Sequence, residues 1–503
     1  MADTKREIER KYESDESGLP DLTGVAGVRA VIDKGVANLD AVYYDTADER
    51  LAKASITLRR RTGGSDAGWH LKVPVAPGVR DEIREPLSDT VPRTLAGLVR
   101  SRVREVELLP VVRLRSDRDL RHLVDAEGVL LAEVSVDAVH AERLADGGGT
   151  AQWTEIEVEL ADDGDPVFLD KVEKRLRKAG VRPSSSASKL ARALAETAPK
   201  KAKKRKAPVP PPEPETAGDH VLAYVRDQRD AILELDPAVR QDAYDSVHRM
   251  RVATRRLRST FRSYGKVLDR TVTDPVGEEL RWLASELGVD RDREVMTERL
   301  TTVLAELPRT LVSGPVRTRM RTWANARRGG SRRRLIGVLD SKRYLALLDT
   351  LDALVAEPPL LPDAAGTPEK VIGKAVRKDF GKVSALVEEA IGAPPGADRD
   401  LALHEARKKA KRTRYAAEAA SPALGAPARG LAKSMKSLTS LLGEHQDSVM
   451  VRVTLRELSA VAHAAGESSF TYGVLYGREE QRAAAVEAAL PGMWEEIGSG
   501  VPV

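Results

Sequence analysis

Charged side chains recur at every second position along several short segments of the N-terminal region. Because successive side chains of a β-strand point to opposite faces, each such set would share one face of a strand. Carboxylate oxygens suit Mg²⁺ or Mn²⁺, and Arg and Lys suit phosphate oxygens, so together they could bind a metal-complexed phosphate. The sets are Glu7, Glu9 and Lys11; Thr57, Arg59 and Arg61; His70 and Lys72; Arg80, Glu82 and Arg84; Arg113 and Arg115; Glu133, Ser135 and Asp137; and Glu155, Glu157 and Glu159.

The same segments predict the elements that must position these charges. Each alternates charged with apolar residues between Gly- and Asp-rich turns, which is typical of strands, and eight such strands can close into a barrel. An ordinary sheet would turn its charged face to water, but separate blocks of carboxylates and arginines favour charged faces that point inward. Such a lumen needs water, ions and a polyanion, because unpaired buried charge is very costly. Two helical stretches, around Val25–Lys34 and Asp165–Ala179, would help to cover the apolar backs.

Bulk composition limits the other possibilities. At 503 residues the chain is too long for one core, and 32% charged residues with a net charge of only +5 indicate signs that segregate locally. The absence of cysteine excludes disulfides, thiolate metal sites and a cysteine nucleophile. Without an apolar leader or a run of about 20 apolar residues, we expect a soluble cytoplasmic protein with no membrane partner.

A basic and then proline-rich stretch, Ala198–Gly218, divides two halves of different pattern. It lacks apolar periodicity and is typical of a solvated linker. Beyond it, long segments of 3.6-residue periodicity predict a helical bundle. The predicted domains are therefore 1–198 and 218–495, with 199–217 as the linker.

The helical half contains a basic segment twice. HRMRVATRRLR begins at His248 and HEARKKAKRTR begins 156 positions later at His404, while Leu287-Gly288 recurs 155 positions later as Leu442-Gly443. Two landmarks at nearly one offset predict duplicated helical units. The basic positions are His248, Arg251, Arg255, Arg258 and Arg262 in the first copy and His404, Arg407, Lys408, Lys411 and Arg414 in the second.

Such a stripe favours an anionic ligand, since like charges four residues apart repel by about a few tenths of a kcal/mol. The alternative is a solvated helix face. No second His or carboxylate recurs at ligand spacing in both copies, so neither histidine is a convincing metal ligand, and His248 could equally be a hydrogen-bonded core residue. The adjacent apolar stripe that would seat the first helix is Met250, Thr254, Leu257, Phe261 and Tyr264.

The N-terminal motifs resemble those of the CYTH domain, the triphosphate tunnel metalloenzymes. EIERK at Glu7–Lys11 resembles the ExExK signature, and YYDT, LRRR, LK, RDEIRE, RLR, EIEVE and Ser188-Lys189 follow in order. The resemblance implies an α+β domain, an eight-stranded antiparallel β-tunnel with flanking helices. It also implies binding of triphosphate compounds with a divalent metal cofactor, Mg²⁺ or Mn²⁺.

This resemblance implies roles for the matching residues. Glu7, Glu9, Glu157 and Glu159 would be metal ligands, with Glu155 as a further candidate. The catalytic set would be Glu7, Glu9, Lys11 and Lys72. The residues that would hold phosphate oxygens are Lys11, Arg59, Arg61, Lys72, Arg80, Arg113, Arg115 and Lys189, with Glu82 beside them to orient lysines or bind a second metal.

The helical half is similar to the CHAD domain, an all-α duplicated helical bundle often fused to CYTH. HRMRVATRRLR, Glu286–Val295 and Leu441–Met450 carry this resemblance, which covers about Gly218 to Glu495. It implies that both basic stripes bind inorganic polyphosphate in a groove between the two copies.

These features predict a metal-dependent hydrolase of inorganic triphosphate or short polyphosphate whose helical domain recruits long polyphosphate. Within the enzyme class, thiamine triphosphate, a nucleoside triphosphate, or ATP for cyclisation remain alternatives. A non-catalytic protein that associates with polyphosphate granules is a second class. Specific nucleic-acid binding is a weaker option, because the sequence lacks aromatic platforms for base stacking.

Overall fold

The structure, a computed structural model, describes residues 3–14, 18–144, 148–199, 213–288, 291–325 and 331–500. The chain divides into two compact units, Met1–Pro210 and Pro211–Val503. That division falls within the predicted linker, most of which lies outside the described residues. In the part of the chain that the structure describes, no helix is both long and apolar enough to cross a membrane.

The first unit is a closed antiparallel barrel. Its strand order is β5-β4-β3-β2-β6-β7-β8-β1, and a further pairing of β5 with β1 closes it. The two-residue β9 pairs antiparallel with the end of β1. The predicted eight-stranded antiparallel tunnel is therefore confirmed. The strands are β1 (Asp3–Ser14), β2 (Ala30–Asp45), β3 (Thr57–Thr62), β4 (Gly68–Ala76), β5 (Val79–Glu85), β6 (Leu109–Val124), β7 (Leu130–Arg143), β8 (Thr150–Leu160) and β9 (Arg182–Pro183).

In the described part of this unit, four helices accompany the barrel: α1 (Arg50–Lys53), α2 (Arg93–Val103), α3 (Val167–Lys178) and α4 (Lys189–Glu196). The helix predicted around Asp165–Ala179 is confirmed as α3. The helix predicted around Val25–Lys34 is wrong, because Gly24 and Gly27 form a turn with φ of 79° and 94° and the chain then enters β2. Pairing of β2 with β6, which is distant in sequence, overrides the local pattern there.

The apolar backs of the strands pack under helices, as the charge pattern requires. Trp69 of β4 is fully buried in a cluster with Leu95 of α2, and Val158 of β8 is fully buried with Val172 of α3. Inside the barrel, one end is also apolar, because Leu114 of β6 packs there with residues of α4. The rest of the inner face carries mostly charged side chains. The charged part of the lumen, and not its apolar end, is therefore the candidate site.

The YYDT motif positions the start of α1. The Asp45 carboxylate is fully buried and accepts hydrogen bonds from the backbone N–H groups of Thr46, Leu51 and Ala52 at 2.7, 2.9 and 2.9 Å. These bonds satisfy donors that a helix start leaves open. Asp45 is therefore structural, whereas Tyr43, two residues earlier, lines the lumen.

The second unit is all-helical in its described residues, apart from two short 3₁₀ turns and an isolated bridge between Leu268 and Leu360. Two copies of a three-helix arrangement are visible, since α5, α6 and α7 pack in sequence as do α12, α13 and α14, and α6 lies against α13. The helices are α5 (Ala217–Arg240), α6 (Ser246–Ser263), α7 (Arg270–Glu286), α8 (Arg291–Ala305), α9 (Val316–Asn325), α10 (Ser331–Leu339), α11 (Lys342–Ala356), α12 (Pro368–Gly392), α13 (Ala397–Leu424), α14 (Ala426–Ala464) and α15 (Phe470–Gly500).

The apolar stripe predicted to seat the first basic helix is buried in the core of this unit. Met250, Thr254 and Leu257 are fully buried on α6, and Phe261 and Tyr264 follow them into the same core. The Tyr264 hydroxyl donates to the carbonyl oxygen of Ala416 at 2.6 Å, which links α6 to α13. Packing of this stripe fixes the direction in which the basic stripe of α6 faces.

Candidate functional sites: a charged chamber and a basic groove

The barrel encloses a chamber of about 290 Å³ whose wall is dominated by charge. Among the described lining residues, nine are basic and eight are acidic, so the wall is nearly neutral as a whole. The basic residues are Lys5, Lys11, Arg59, Arg61, Lys72, Arg80, Arg84, Arg118 and Lys189, and the acidic residues are Glu7, Glu9, Asp66, Glu82, Glu133, Glu157, Glu159 and Asp162.

On one wall, the ExExK segment of β1 faces β8. Lys11 pairs directly with Glu157 across the strand register, and its Nζ lies 3.1 Å from Glu9 Oε1. Arg118 Nη2 donates to Glu157 Oε2 at 3.0 Å. Burial raises the pKa of Glu157, but Lys11 and Lys189 together with Arg118 outweigh it and hold that pKa well below its usual range.

Lys189 closes this wall from the first residue of α4. Its Nζ lies 2.9 Å from Asp137 Oδ2, 2.8 Å from Glu155 Oε1 and 2.6 Å from Glu157 Oε1. The Ser188 side chain caps α4 by accepting a hydrogen bond from the Ala191 N–H at 3.1 Å. This cap fixes the start of α4 and with it the position of Lys189. Burial disfavours the charged ammonium, yet the carboxylates more than compensate and raise the pKa of Lys189.

The facing wall is built on β4 and β5. Lys72 pairs with Glu7 and lies 3.6 Å from Glu82, whose carboxylate also contacts His70 Nδ1 at 2.9 Å. Burial and the nearby carboxylates of Glu82 and Glu159 outweigh the effect of Lys72 and raise the pKa of Glu7 to about 7. A further cation beside Glu7 would therefore be favourable.

Three guanidinium groups share one corner of the chamber. Arg59 Nη1 donates to the Tyr43 hydroxyl at 3.3 Å, and Arg61 pairs with Asp66. Burial and the neighbouring charges of Arg59 and Arg118 lower the pKa of Arg61 to about 9. Arg118 Nε donates to Asp137 Oδ1 at 2.7 Å, and, despite burial, the carboxylates near Arg59 and Arg118 raise the pKa of both. The corner thus offers three guanidinium groups, which suit phosphate oxygens.

Arg113 and Arg115, predicted to hold phosphate, do not line the chamber. Arg113 binds Asp40 on the other face of the sheet, with Nε to Oδ1 at 2.9 Å, and Arg115 is exposed. The chamber residue of β6 is Arg118, which the prediction missed. Arg118 has the parity of Val112 and Leu114, which the alternation predicts to be the apolar back of the strand.

The structure brings most of the other predicted tunnel residues together in the wall. Glu155 lies behind it, nearly buried, where it accepts from Trp153 Nε1 at 2.6 Å and contacts Lys189. Arg80 donates from Nη2 to the Ala187 carbonyl at 2.8 Å beside the start of α4. The predicted residues that line the chamber are Glu7, Glu9, Lys11, Arg59, Arg61, Lys72, Arg80, Glu82, Glu157, Glu159 and Lys189.

The carboxylates of this wall fit a hard divalent cation. Glu7, Glu9, Glu157 and Glu159 supply oxygen donors from neighbouring strands, which is the ligand type that Mg²⁺ and Mn²⁺ take. A second carboxylate group, Asp137 with Glu155 and Glu157, has ligand atoms within 4.8 Å of one another. Lys189 lies between the carboxylates of this second group, and lysines also pair with the first group, as Lys72 does with Glu7. A divalent cation at either group would therefore replace a lysine contact.

In the helical unit, the basic stripe of α6 lines an open groove. Arg251, Arg255 and Arg258 face it together with Arg281 and Gly288. Burial and the charges of Arg262, Arg281 and Arg255 lower the pKa of Arg258, although Glu278 opposes them. Cations therefore crowd one another in this groove.

The second basic stripe meets the first across the two copies. Burial and the charges of Arg407 and Arg255 lower the pKa of Lys411 to about 8, so residues of α13 and α6 act on one another. The Arg407 Nε is buried with no hydrogen-bond partner among the described residues. Lys411 and Arg407 thus extend the crowded cationic surface from the first copy to the second.

The remaining predicted groove residues differ in their surroundings. Lys408 is exposed and pairs with Glu405, and Arg414 Nε donates to Glu418 Oε1 at 2.8 Å. Arg262 is half-exposed beside Glu278, and the His404 ring is hydrogen-bonded to Gln446. His248 is exposed on α6, so its alternative interpretation as a core residue is wrong.

Family models match both units. A model of the CYTH domain matches residues 5–194, and a model of the CHAD domain matches residues 223–456. The N-terminal unit is therefore a CYTH domain, of the class of triphosphate tunnel metalloenzymes, and the helical unit carries a CHAD domain.

The chain belongs to the family of two-domain CYTH–CHAD proteins. Uncharacterized protein Rv2226 from Mycobacterium tuberculosis strain H37Rv is 40% identical over 504 residues, which cover 96% of this chain and 95% of that protein. The similarity spans both domains and the linker region, so the two-domain arrangement is shared as a whole.

Solved structures resemble parts of the chain. PptA from Streptomyces chartreusis is 20% identical with a TM-score of 0.47, covering 56% of this chain and 100% of that one. HpAC1 from Hippeastrum, described as an adenylyl cyclase candidate with a dominant triphosphatase activity, is 20% identical with a TM-score of 0.25 and covers 38% of this chain and 96% of that one. Each covers about one unit, whereas the mycobacterial relative spans nearly the whole chain.

Proposed function

We propose that this protein hydrolyses inorganic triphosphate or short polyphosphate with Mg²⁺ or Mn²⁺, and that its helical domain binds longer inorganic polyphosphate. The observation that carries the proposal is the chamber wall, which has nine basic and eight acidic residues in its described part. Such a wall is suited to a charged chain with its counter-cations. Charged side chains leave little apolar or aromatic surface there for a nucleobase or a thiamine ring.

The charge balance favours a particular form of the substrate. A triphosphate alone would add several negative charges to a nearly neutral, partly buried site, which burial makes costly. A triphosphate that enters with divalent cations brings little net charge. The chamber would then exchange its internal ion pairs for pairs with phosphate and metal.

Residues of the chain divide the work of phosphoryl transfer. A bound Mg²⁺ or Mn²⁺ would neutralise phosphate charge and lower the pKa of a bound water. Glu7, Glu9, Glu157 and Glu159 would hold the cation, and the corner of Arg59, Arg61 and Arg118 would hold phosphate oxygens as negative charge shifts along the chain. Lys72 and Lys11 would orient the carboxylates with which they pair.

The test is phosphate release by the full-length protein from tripolyphosphate, thiamine triphosphate and ATP, with each metal. We expect tripolyphosphate to be preferred, and Glu9→Gln to lower its turnover by roughly a hundredfold or more, as when a charge-stabilising group is removed. Glu13→Gln is the matched control, because Glu13 lies on the same strand but is exposed. Preference for thiamine triphosphate or ATP, or formation of cyclic AMP, would refute the substrate assignment.

A non-catalytic polyphosphate-binding protein is the second candidate. It is favoured by the internal neutralisation of the carboxylates, above all by the contact of Lys189 with Asp137, Glu155 and Glu157. The same assay separates the two, because binding of tripolyphosphate without release of phosphate would support this candidate alone.

Binding by the helical domain is tested separately with long-chain polyphosphate and with DNA of matched charge. The crowded cations of the groove support a linear polyanion, and we expect polyphosphate to displace DNA at physiological salt. Binding of DNA at least as tight as that of polyphosphate would contradict the proposed partner.

A further inference from the structure

Two glycines occupy equivalent places in the two helical copies, each against an arginine of the basic stripe. Gly288 lies just beyond α7 next to Arg251, and Gly443 lies in the middle of α14 next to Arg407. The arginines are 156 positions apart and the glycines 155. The pairing of glycine with arginine is therefore duplicated together with the helices.

Both glycines leave space that the guanidinium group uses. A Cβ atom at position 288 would lie 2.7 Å from Cζ and Nη2 of Arg251, far inside contact distance. At position 443 it would lie 3.3 Å from Nη2 and 3.6 Å from Nε of Arg407, also a tight approach. The guanidinium groups thus pack directly on the backbone at these positions.

Backbone conformation does not account for these glycines. Neither belongs to the glycines with positive φ among the described residues, so another residue could adopt the same backbone. Glycine inside a helix is destabilising relative to alanine, which makes Gly443 unfavourable for α14 itself. Close approach of the arginine remains as the physical reason for its presence.

Other glycines on the same helices provide a contrast. A Cβ atom at Gly277 of α7 or at Gly430 of α14 would meet no heavy atom within 4 Å outside the neighbouring helix backbone. On these two helices the close approach is thus confined to the positions that face the basic stripes. On α12 a guanidinium group also lies 3.3 Å from the place of a Cβ atom at Gly373, but it belongs to Arg377, four residues along the same helix. Gly288 also lines the groove itself, beside Arg251.

We propose that Gly288 and Gly443 are positioning residues that seat Arg251 and Arg407 for binding of a polyphosphate chain; this rests on the proposed function of the helical domain. A guanidinium group held against the backbone loses less freedom when phosphate binds, which strengthens binding. A Cβ atom at Gly288 would displace the guanidinium group of Arg251, and one at Gly443 would push that of Arg407 by a few tenths of an ångström. Each arginine keeps its charge but loses its position against the backbone.

The experiment compares Gly443→Ala with Gly430→Ala in the full-length protein, measuring affinity for long-chain polyphosphate and thermal stability. For Gly443→Ala we expect affinity to fall about two- to tenfold, the cost of ordering one side chain, while the melting temperature stays equal or rises, because alanine favours the helix. For Gly430→Ala we expect a similar effect on melting temperature and unchanged affinity. Gly288→Ala, with Gly277→Ala as its control, should lower affinity at least as much, because the Cβ atom would lie closer to the guanidinium group. Gly288 lies beyond α7, so no rise in melting temperature is expected for that variant.

A double variant tests whether the glycine acts through the arginine. Once Arg407→Gln is present, adding Gly443→Ala should weaken polyphosphate binding no further. Additive losses in the double variant, or a loss of affinity that only accompanies a lower melting temperature, would overturn the proposal. So would wild-type affinity in both Gly288→Ala and Gly443→Ala.

Failure of the proposed function would look different. If the wild-type protein does not bind polyphosphate, the function of the groove is refuted. If the wild type binds and Arg258→Gln weakens binding, while the glycine variants bind normally, only the positioning role is refuted.

Discussion

The chamber and the groove both contain several basic residues, but these have different neighbours. Carboxylates line the chamber beside them, whereas the described lining of the groove contains no carboxylate. In the chamber, cations and carboxylates are paired, so that the pKa of Lys189 is raised and that of Glu157 is lowered despite burial. In the groove, cations adjoin cations, and the pKa values of Lys411 and Arg258 are lowered. Most charges of the chamber thus have an opposite charge beside them without a ligand. In the groove, the cations repel one another, and an anionic ligand would reduce that repulsion.

This difference indicates different forms of one ligand class. A paired chamber admits a ligand only if that ligand replaces partners on both sides, which a metal–phosphate complex does. A crowded groove gains from any flexible polyanion that screens its cations, and the gain depends on salt. The comparison can be broken or sharpened by changing one site at a time.

The largest expected effect is on the stability of the barrel. Lys189→Met would leave three buried carboxylates without their shared cation, and we expect the free energy of unfolding to fall by about 3–5 kcal/mol. Chemical denaturation measures this, and Lys171→Met on the exposed surface of α3 is the control. Added Mn²⁺ should restore part of the loss. A loss no greater than that of the control would show that the chamber is not held by this pairing.

The second largest expected effect is the difference in catalytic efficiency between substitutions on the inner and the outer face of β6. Arg118→Gln should lower kcat/KM for tripolyphosphate by roughly 10²–10³-fold, since it removes an inward guanidinium group, whereas Arg113→Gln should change it less than about twofold. Steady-state kinetics of the two variants measure this. Equal losses in both would contradict the placement of Arg113 outside the chamber.

A smaller expected effect is a difference in the salt dependence of the two sites. Between about 50 and 200 mM salt, we expect polyphosphate affinity of the groove to fall by at least about tenfold, because counterions compete for crowded cations. Tripolyphosphate turnover at saturating metal should change far less, because chamber charges are mostly paired and partly buried. Titrations of the full-length protein over this range test both arms, and parallel salt dependence would remove the distinction.

The smallest expected effect is a pH dependence of the groove. The pKa of Lys411 is about 8, below its usual value of 10.5, so the folded state loses stability as pH falls from about 10.5 to about 8 and no more below that. A bound polyanion favours the protonated form, and affinity should therefore rise a few-fold from about pH 9 to pH 7. Lys411→Arg should flatten this profile when affinity is measured at constant salt. An unchanged profile in that variant would assign the pH dependence to another group.

Much of the chamber could be predicted because strand faces are a local property. The alternation of Glu7, Glu9 and Lys11 places them together whatever the rest of the chain does. Which face points inward is decided by distant partners. On β6 both faces carry a pattern, and the packing of Leu114 against α4 and of Arg113 against Asp40 selects the one with Arg118.

The basic positions that line the helical groove could be predicted from the sequence. The neighbours of each basic side chain could not. Duplication located Arg251 and Arg407 as equivalent residues, and the structure adds that each lies against a glycine. Lys408 and Arg414, in contrast, have acidic partners three or four residues away on their own helix. The electrostatic repulsion between Lys411 and Arg255 arises only when the two copies pack, which no local pattern encodes.

The contact of Lys189 with carboxylates of two barrel strands also bears on how such proteins could be assembled from modules during evolution. Lys189 belongs to α4, the last described element before the linker region, and yet it completes the wall on β7 and β8. A recombination that joined this barrel to a new partner upstream of α4 would pass on an open, acidic barrel end. Exchange of neighbouring domains is therefore tolerable only at crossover points beyond Glu196.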